Sequence, residues 1–273
     1  MPELPEVESV RRTLLPGILG RVVREVQAQP SKVLRPNLER FRRGLKGRAV
    51  TGSLRRGKLL VLTLDGGAFW TAHLGMTGQL ILAPERPQAD HIHARVAFAD
   101  AGPSLFYRDL RKFGHLAFHP DQASLMAGLY GRMGPDALDI PAAVFLERLA
   151  GRRAPLKSLL LDQRILAGVG NIYADEALHR AGIAPTRAPA GLDRAALLRL
   201  HAELVATLAE ALAQGGSSVK NFVDAQGRAG TFQEAHRVYR RTGQPCPVCG
   251  SSVQRIVLGG RSTHFCPACQ PGG

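Results

Sequence analysis

Apolar and polar positions recur with two different periods along this chain, and the change from one to the other divides it. Residues 5–19 follow a helical period: Val7, Val10, Leu14 and Ile18 fall on one face, and Pro5 suits the first helical position. Beyond Gly20 the pattern changes. Short runs with β character follow at 22–27, 49–54, 59–64, 68–73, 79–82, 92–99, 105–108 and 115–118. Turn-forming stretches break them up: Asp65-Gly66-Gly67, the proline-flanked 84–87 and Ala101-Gly102-Pro103. So many short strands within about a hundred residues predict a β-sandwich or barrel.

Residues 131–141 are rich in Gly, Pro and Asp and read as a linker. Helical spacing then returns at 142–149, 156–161, 172–181 and 194–214. In the last of these Leu197, Leu200, Leu204, Leu208 and Leu212 form a stripe, which is most simply a core face. Residues 215–233 are a long polar loop rich in Gly and Ser, a length that is usually functional or disordered. Two β runs, 252–258 and 262–265, flank Gly259-Gly260-Arg261 and read as a hairpin with Arg261 near its tip. The expected organisation is an α+β multidomain chain. A first domain spans 1–130, a linker 131–141, a helical domain 142–237 that includes the loop 215–233, and a closing module 238–273.

That closing module holds every cysteine of the chain. Cys246 and Cys249 are one Cys-x-x-Cys pair, Cys266 and Cys269 another, and the spacing points to one structural Zn²⁺ held by four thiolates. Two disulfides are the alternative, but they need an oxidising compartment. The chain shows neither a basic-then-apolar export segment nor an apolar run long enough for a membrane, so a cytoplasmic, nucleoid-associated location is expected. The formal net charge of +14 favours a polyanionic partner, nucleic acid before an anionic membrane surface. Aromatic residues are only 5% of the chain, which argues against a platform stacking many single-stranded bases.

Several segments carry candidate chemistry. Removal of Met1 would leave Pro2 with a free secondary amine, a nucleophile partly unprotonated at neutral pH, with the Glu3 carboxyl beside it. Gly168-Val-Gly170-Asn171 precedes a helix and offers backbone N–H groups, with an Asn171 side-chain donor, to a phosphate. His91 and His93 lie two apart on an expected strand and would share a face. Residues 107–114, Tyr-Arg-Asp-Leu-Arg-Lys-Phe-Gly, suit an exposed loop that holds cations and an apolar wedge. His73-Leu-Gly-Met76 ends a strand with a methionine on a loop.

Taken in order, Pro2–Val7, Lys58 after Arg55-Arg56-Gly57, His73-Leu-Gly-Met76, Arg111-Lys-Phe113-Gly, Gly168-Val-Gly-Asn171-Ile-Tyr and the four-cysteine hairpin with Arg261 closely resemble the formamidopyrimidine-DNA glycosylases. The resemblance covers the whole chain. It implies an N-terminal helix plus β-sandwich, then a helical domain with a helix–two-turn–helix element and a zinc-finger β-hairpin. It implies a base-excision repair enzyme acting on damaged double-stranded DNA as a monomer, with no membrane partner. Pro2 would attack C1′ of the damaged nucleoside and hold the sugar as an iminium, and Glu3 would handle the sugar protons. Lys58 and Arg261 would grip flanking phosphates and assist the β- and δ-eliminations. His73, His91, Arg111, Arg152 and Asn171 would bind DNA. Met76, Arg111 and Phe113 would fill the gap left by a flipped nucleotide, with Arg111 facing the orphaned cytosine.

The same resemblance makes Ser217, Ser218, Val219, Lys220 and Asn221 a lesion-capping loop. A fixed carbonyl there accepts a hydrogen bond from the N7–H of 8-oxoguanine but meets a lone pair on guanine. Oxidised purines are therefore expected in preference to the oxidised pyrimidines of the related endonuclease VIII type. A non-catalytic zinc-ribbon binder is the alternative from another class. Two positions depart from the usual pattern: Leu110 stands where many relatives have Pro, and Arg152 where Lys is frequent.

Overall fold

The computed structural model describes residues 2–219 and 222–272. The first helix, α1 (Leu4–Leu14), stops short of the expected residue 19. Pro16 has no N–H for a further helical bond, so the chain tightens into a 3-10 turn at Leu15–Gly17. Ile18 still reaches the core and is fully buried.

Two sheets follow. One has four strands in the order β1 (Val23–Ala28), β7 (Ile92–Phe98), β8 (Ser104–Asp109) and β6 (Gly78–Ala83). The other has five, in the order β2 (Leu34–Arg35), β9 (His115–His119), β5 (Phe69–His73), β4 (Leu59–Leu64) and β3 (Val50–Arg56). Every pairing is antiparallel except β2 with β9. Val23, Val96, Phe98 and Leu105 from the first sheet meet Leu60, Leu62, Trp70 and Leu116 from the second in one core. Val7, Val10 and Leu14 of α1 join it. The architecture is thus a sandwich, and the barrel is excluded. The short α2 (Leu38–Leu45), outside the sequence expectation, caps this core with Phe41, whose ring meets Trp70 edge-on at 5.9 Å. A further short helix, α3 (Gln122–Ala127), also lies outside it.

The remaining elements are α4 (Ala142–Leu149), α5 (Leu156–Leu161), α6 (Asn171–Arg180), α7 (Arg194–Ala213) and the hairpin of β10 (Gln254–Leu258) and β11 (Arg261–Phe265). The leucine stripe is the core face of α7, with Leu197, Leu200, Leu204 and Leu208 buried.

The chain forms two compact units: residues up to Arg132 with Gln214–Thr231, and Met133–Ala213 with the segment from Phe232 onward. The loop expected within the helical domain therefore packs with the sandwich. Ala225 is buried in the sandwich core, its N–H donating to Thr13 Oγ1 at 3.2 Å and its carbonyl accepting from Leu82 N at 3.1 Å.

Candidate active site and nucleic-acid interface

Pro2 lies one residue before the N-cap of α1, which is Glu3, 2% exposed. Pro2 itself is buried. Met1 lies outside the described residues. A second buried carboxylate organises this end: Glu6 Oε2 accepts the Glu3 N–H at 2.7 Å, and its Oε1 accepts the Ser217 N–H at 2.7 Å. Glu6 thus ties the proline end of the chain to the segment Gln214–Thr231. Gly216 approaches so closely, at φ 87, that a side chain there would collide with the Glu6 carboxylate. Ser218 braces the segment from inside, Oγ donating to Phe222 O and accepting from Gly230 N, both at 2.9 Å. Val219 is half-buried, and Lys220 and Asn221 lie outside the described residues.

Lys58 follows Gly57 in the two-residue turn between β3 and β4 and is buried. On the neighbouring strand, burial first and then the charges of Lys58 and Arg35 push the His73 imidazole down to about 4. His73 is therefore neutral at neutral pH. Its Nδ1 accepts from Gly75 N at 3.2 Å, so the ring proton belongs on Nε2. The ring stacks on His115 at 5.5 Å. His73 is thus a neutral N–H donor beside the Lys58 cation.

The two candidate wedge loops come together. Met76 and Phe113 are exposed, 40% and 52%, and Arg111 lies between them. Its Nη1 is 3.2 Å from Met76 Sδ, and its guanidinium sits 4.4 Å from the Phe113 ring centre. Beneath them Asp109 is fully buried at the end of β8. Its Oδ1 accepts from Thr77 Oγ1 at 2.5 Å and Arg111 N at 3.2 Å. Its Oδ2 accepts from Gly114 N at 2.8 Å and Tyr107 Oη at 3.2 Å. Burial and this carboxylate push the Tyr107 phenol well above its ordinary value, keeping it a donor. Gly75, at φ 60, lets the first loop pack backbone-to-backbone against Phe113 and Gly114.

His91 and His93 do not share a strand face. β7 begins only at Ile92, His91 stands exposed in a left-handed conformation with φ 64, and the pairing is irregular between Ile92 and Ala94. His93 Nε2 donates to the Asp109 carbonyl at 2.9 Å, so it supports the wedge loop from behind.

In the second unit Asn171 opens α6 after the turn at Gly168 and Gly170, and its Nδ2 donates to Ser262 O at 2.8 Å. Lys157 Nζ donates to the same carbonyl and to Thr263 Oγ1, both at 2.8 Å. Lys157 also pairs with Asp175 at 2.6 Å, and Asp175 accepts the His264 N–H at 2.9 Å. These buried groups fix β11, whose first residue, Arg261, is exposed after the Gly259-Gly260 turn. Glu176, fully buried, accepts the N–H groups of Arg237, Val238 and Tyr239 at 2.8–3.0 Å. Arg152 is exposed, its Nε donating to Arg148 O at 2.7 Å.

The four cysteines are free thiols whose sulfurs all lie within 4.8 Å of one another. The Cys246–Cys269 and Cys249–Cys266 separations are 3.8 and 3.4 Å. A tetrahedron of Zn–S bonds of about 2.3 Å has edges of about 3.8 Å, so the set fits one structural zinc ion with no open coordination position. His179 of α6, buried, places Nε2 3.4 Å from Cys246 Sγ. Glu6, Asp109, Lys157, Asp175, Glu176 and His179 are absent from the sequence expectation. Only Glu6 carries a local signal, an acidic residue three positions beyond the N-cap.

A buried proline before a helix, two loops sharing a cation and an apolar wedge, and a four-thiol hairpin define a zinc-stabilised protein built to engage nucleic acid. Family models match the chain in three consecutive parts. The Formamidopyrimidine-DNA glycosylase N-terminal domain covers residues 1–116, the Formamidopyrimidine-DNA glycosylase H2TH domain 133–223, and the zinc finger found in FPG and IleRS 243–272. A relative from Geobacillus kaustophilus named formamidopyrimidine-DNA glycosylase is 44% identical, over 99% of this chain and 100% of its own length. Another so named, from Heliobacterium modesticaldum, is 45% identical over 99% and 100%. The crystal structure of the MutM (Fpg) protein from Thermus thermophilus superposes with a TM-score of 0.89 at 42% identity, covering 100% of both chains. That of a Lactococcus lactis Fpg point mutant with DNA containing Fapy-dG gives 0.92 at 34%, covering 99% of this chain and 100% of that one. The chain belongs to the formamidopyrimidine-DNA glycosylase family. No helix among the described residues is long and apolar enough to cross a membrane.

Proposed function

We propose that this protein excises oxidised purines, 8-oxoguanine and ring-opened formamidopyrimidines, from duplex DNA and then cuts the strand at the abasic site. The observation that carries the reading is the Glu6 carboxylate, which joins the Pro2–Glu3 end of α1 to the segment bearing Ser217 and Ser218. A nucleophile and a lesion-reading loop are thereby held on one buried anion. Relatives described with Fapy-dG and abasic-site DNA support the substrate class.

With Met1 removed, the Pro2 nitrogen attacks C1′ and the glycosidic bond breaks, the base leaving with its electron pair and a proton. The ring-opened sugar remains on Pro2 as an iminium. This cation acidifies C2′–H; Glu3 serves as the acid/base group for the sugar protons. Loss of a C2′ proton expels the 3′ phosphate by β-elimination, and a second elimination expels the 5′ phosphate. Lys58 and Arg261 bind the departing phosphates, His73 donates its Nε2–H to the backbone, and His91, Arg152 and Asn171 contact DNA alongside them. Met76 and Phe113 fill the space of the extruded nucleotide, and Arg111 faces the orphaned cytosine. The cell's nucleoid is the corresponding workplace, and the protein acts as a monomer.

Borohydride trapping tests the chemistry. Duplex DNA with 8-oxoguanine opposite cytosine should give a covalent adduct through Pro2, and retaining Met1 should abolish it. An undiminished adduct with Met1 in place would remove Pro2 from the mechanism. Faster excision of oxidised pyrimidines than of 8-oxoguanine would transfer the protein to the endonuclease VIII type. Salt-sensitive binding with no adduct at all would leave only a zinc-ribbon binder.

A further inference from the structure

The three wedge side chains come from two loops, and Asp109 is the group both loops share. Its carboxylate is fully buried, yet its four donors are two hydroxyls and two backbone amides, none of them a cationic side chain. Burying an anion is costly unless each lone pair is satisfied. Three of the four donors are the wedge residues' own backbone or their covalent neighbours. Thr77 follows Met76, the Arg111 amide belongs to the wedge itself, and Gly114 follows Phe113. Thr77 also sets a direction: its hydroxyl donates to Asp109, which frees its lone pair to accept the Arg111 N–H at 3.0 Å.

We propose that Asp109, through Thr77, is the positioning residue that sets the Met76–Arg111–Phe113 constellation before DNA arrives, and so controls discrimination at the orphaned base. This rests on the function proposed above. If any one wedge residue shifts, a donor withdraws from a buried anion, so the two loops hold their arrangement together or lose it together. A neutral amide cannot replace the carboxylate. The Asn side chain offers one acceptor oxygen, and its NH₂ would oppose a backbone N–H on the other side. The left-handed Lys112, at φ 54, shows how far the loop is bent from extended backbone to deliver Arg111 and Gly114 to the same carboxylate.

The test uses Asp109→Asn, Thr77→Val and Thr77→Ser in the full-length, zinc-loaded protein. Rates are measured for 8-oxoguanine opposite cytosine, the same lesion opposite adenine, and a preformed abasic site in single-stranded DNA, which has no orphaned base. Asp109→Asn and Thr77→Val should slow excision opposite cytosine about tenfold or more. They should also move the cytosine-to-adenine ratio toward one, with a much smaller loss on the single strand. Thr77→Ser, which keeps the hydroxyl, should restore the wild-type ratio. Equal losses on duplex and single strand, or an unchanged ratio, would overturn the proposal. Wild-type rates report separately on the proposed function. Hydrogen exchange at the Arg111 and Gly114 amides should quicken in Asp109→Asn, and unchanged exchange would overturn the proposal whatever the wild type cuts.

Discussion

Replacing Lys157 with Met would separate the zinc hairpin's support from the zinc itself. The methionine stem fills much of the same space, so little cavity forms, but the ammonium is lost. It is 1% exposed, pairs with Asp175 at 2.6 Å, and donates to Ser262 O and Thr263 Oγ1 at 2.8 Å. Asp175 is fully buried and would keep its His264 donors without its cation. Removing one partner of such a pair costs about 3–5 kcal/mol, a large share of the roughly 5–15 kcal/mol that holds a domain folded. Because the chain forms two units, the readout must be local. Urea titration with zinc in excess, followed by hydrogen exchange at the amides of α6 and β11, should show that loss in the second unit and little change in the sandwich. Duplex affinity should fall with it, since Ser262 anchors the strand that begins at Arg261. Adding Asp175→Asn should recover about 1–3 kcal/mol relative to the sum of the single losses, because the stranded charge goes. A loss under about 1 kcal/mol, or strict additivity, would show that the pair is not what secures the hairpin.

Three further outcomes follow from named contacts. Burial would raise the Glu8 carboxyl, but hydrogen bonds from Arg11 and Arg12 and the charges of Arg11 and Arg55 outweigh it and hold it down at about 2. Its pairing therefore stabilises the fold fully above its ordinary value of 4.5 and is lost as pH falls toward 2; Glu8→Gln should flatten the thermal-midpoint profile across that window, and parallel profiles would refute the pairing. Cys249→Ser should release zinc to a chelator, speed exchange in the β10–β11 hairpin and weaken salt-dependent duplex binding; full affinity in metal-free protein would contradict a structural zinc. Gly75→Ala places a methyl against the backbone of Phe113 and Gly114 at φ 60. It should destabilise the sandwich unit by about 1–3 kcal/mol and blunt discrimination between cytosine and adenine opposite the lesion. An unaltered melting curve would show that the two loops can part.

The legible parts of this molecule are those with a period or a spacing. Apart from the two-residue β2, which no expected run covers, the strands of both sheets, α4 to α7 and the hairpin lie within a few residues of their expected positions, because burial on one face imposes a repeat. The four cysteines are equally legible, since one tetrahedral ion needs that spacing. Pro16 cuts α1 short of its apolar pattern, although it stands in plain view. The spacing Leu38, Phe41, Leu45 is helical, yet α2 spans only eight residues among charges, too few for the period to stand out. The shared-face reading of His91 and His93 fails because His91 stands before β7 in a left-handed conformation and the pairing is irregular between Ile92 and Ala94. Lys157 and Asp175 have no sequence signal, since a buried ion is recognised by partners far away in the chain. Lys157 meets Thr263 across more than a hundred positions.

The segment Gln214–Thr231 gives the sandwich unit a late arrival. Its Ala225 belongs to the same core as α1, so the first unit's interior is completed only by residues made after the four helices of the second. During synthesis at about 5–20 residues per second, roughly 5–20 s separate Arg132 from Thr231 leaving the ribosome. For that interval the Glu6 carboxylate lacks its Ser217 donor, and the Pro2 end of α1 waits beside an unfinished core. A gene cut after Arg132 would not yield a smaller working half, and a nascent chain cannot join the Pro2 end of α1 to the segment bearing Ser217 until nearly the whole message has been read.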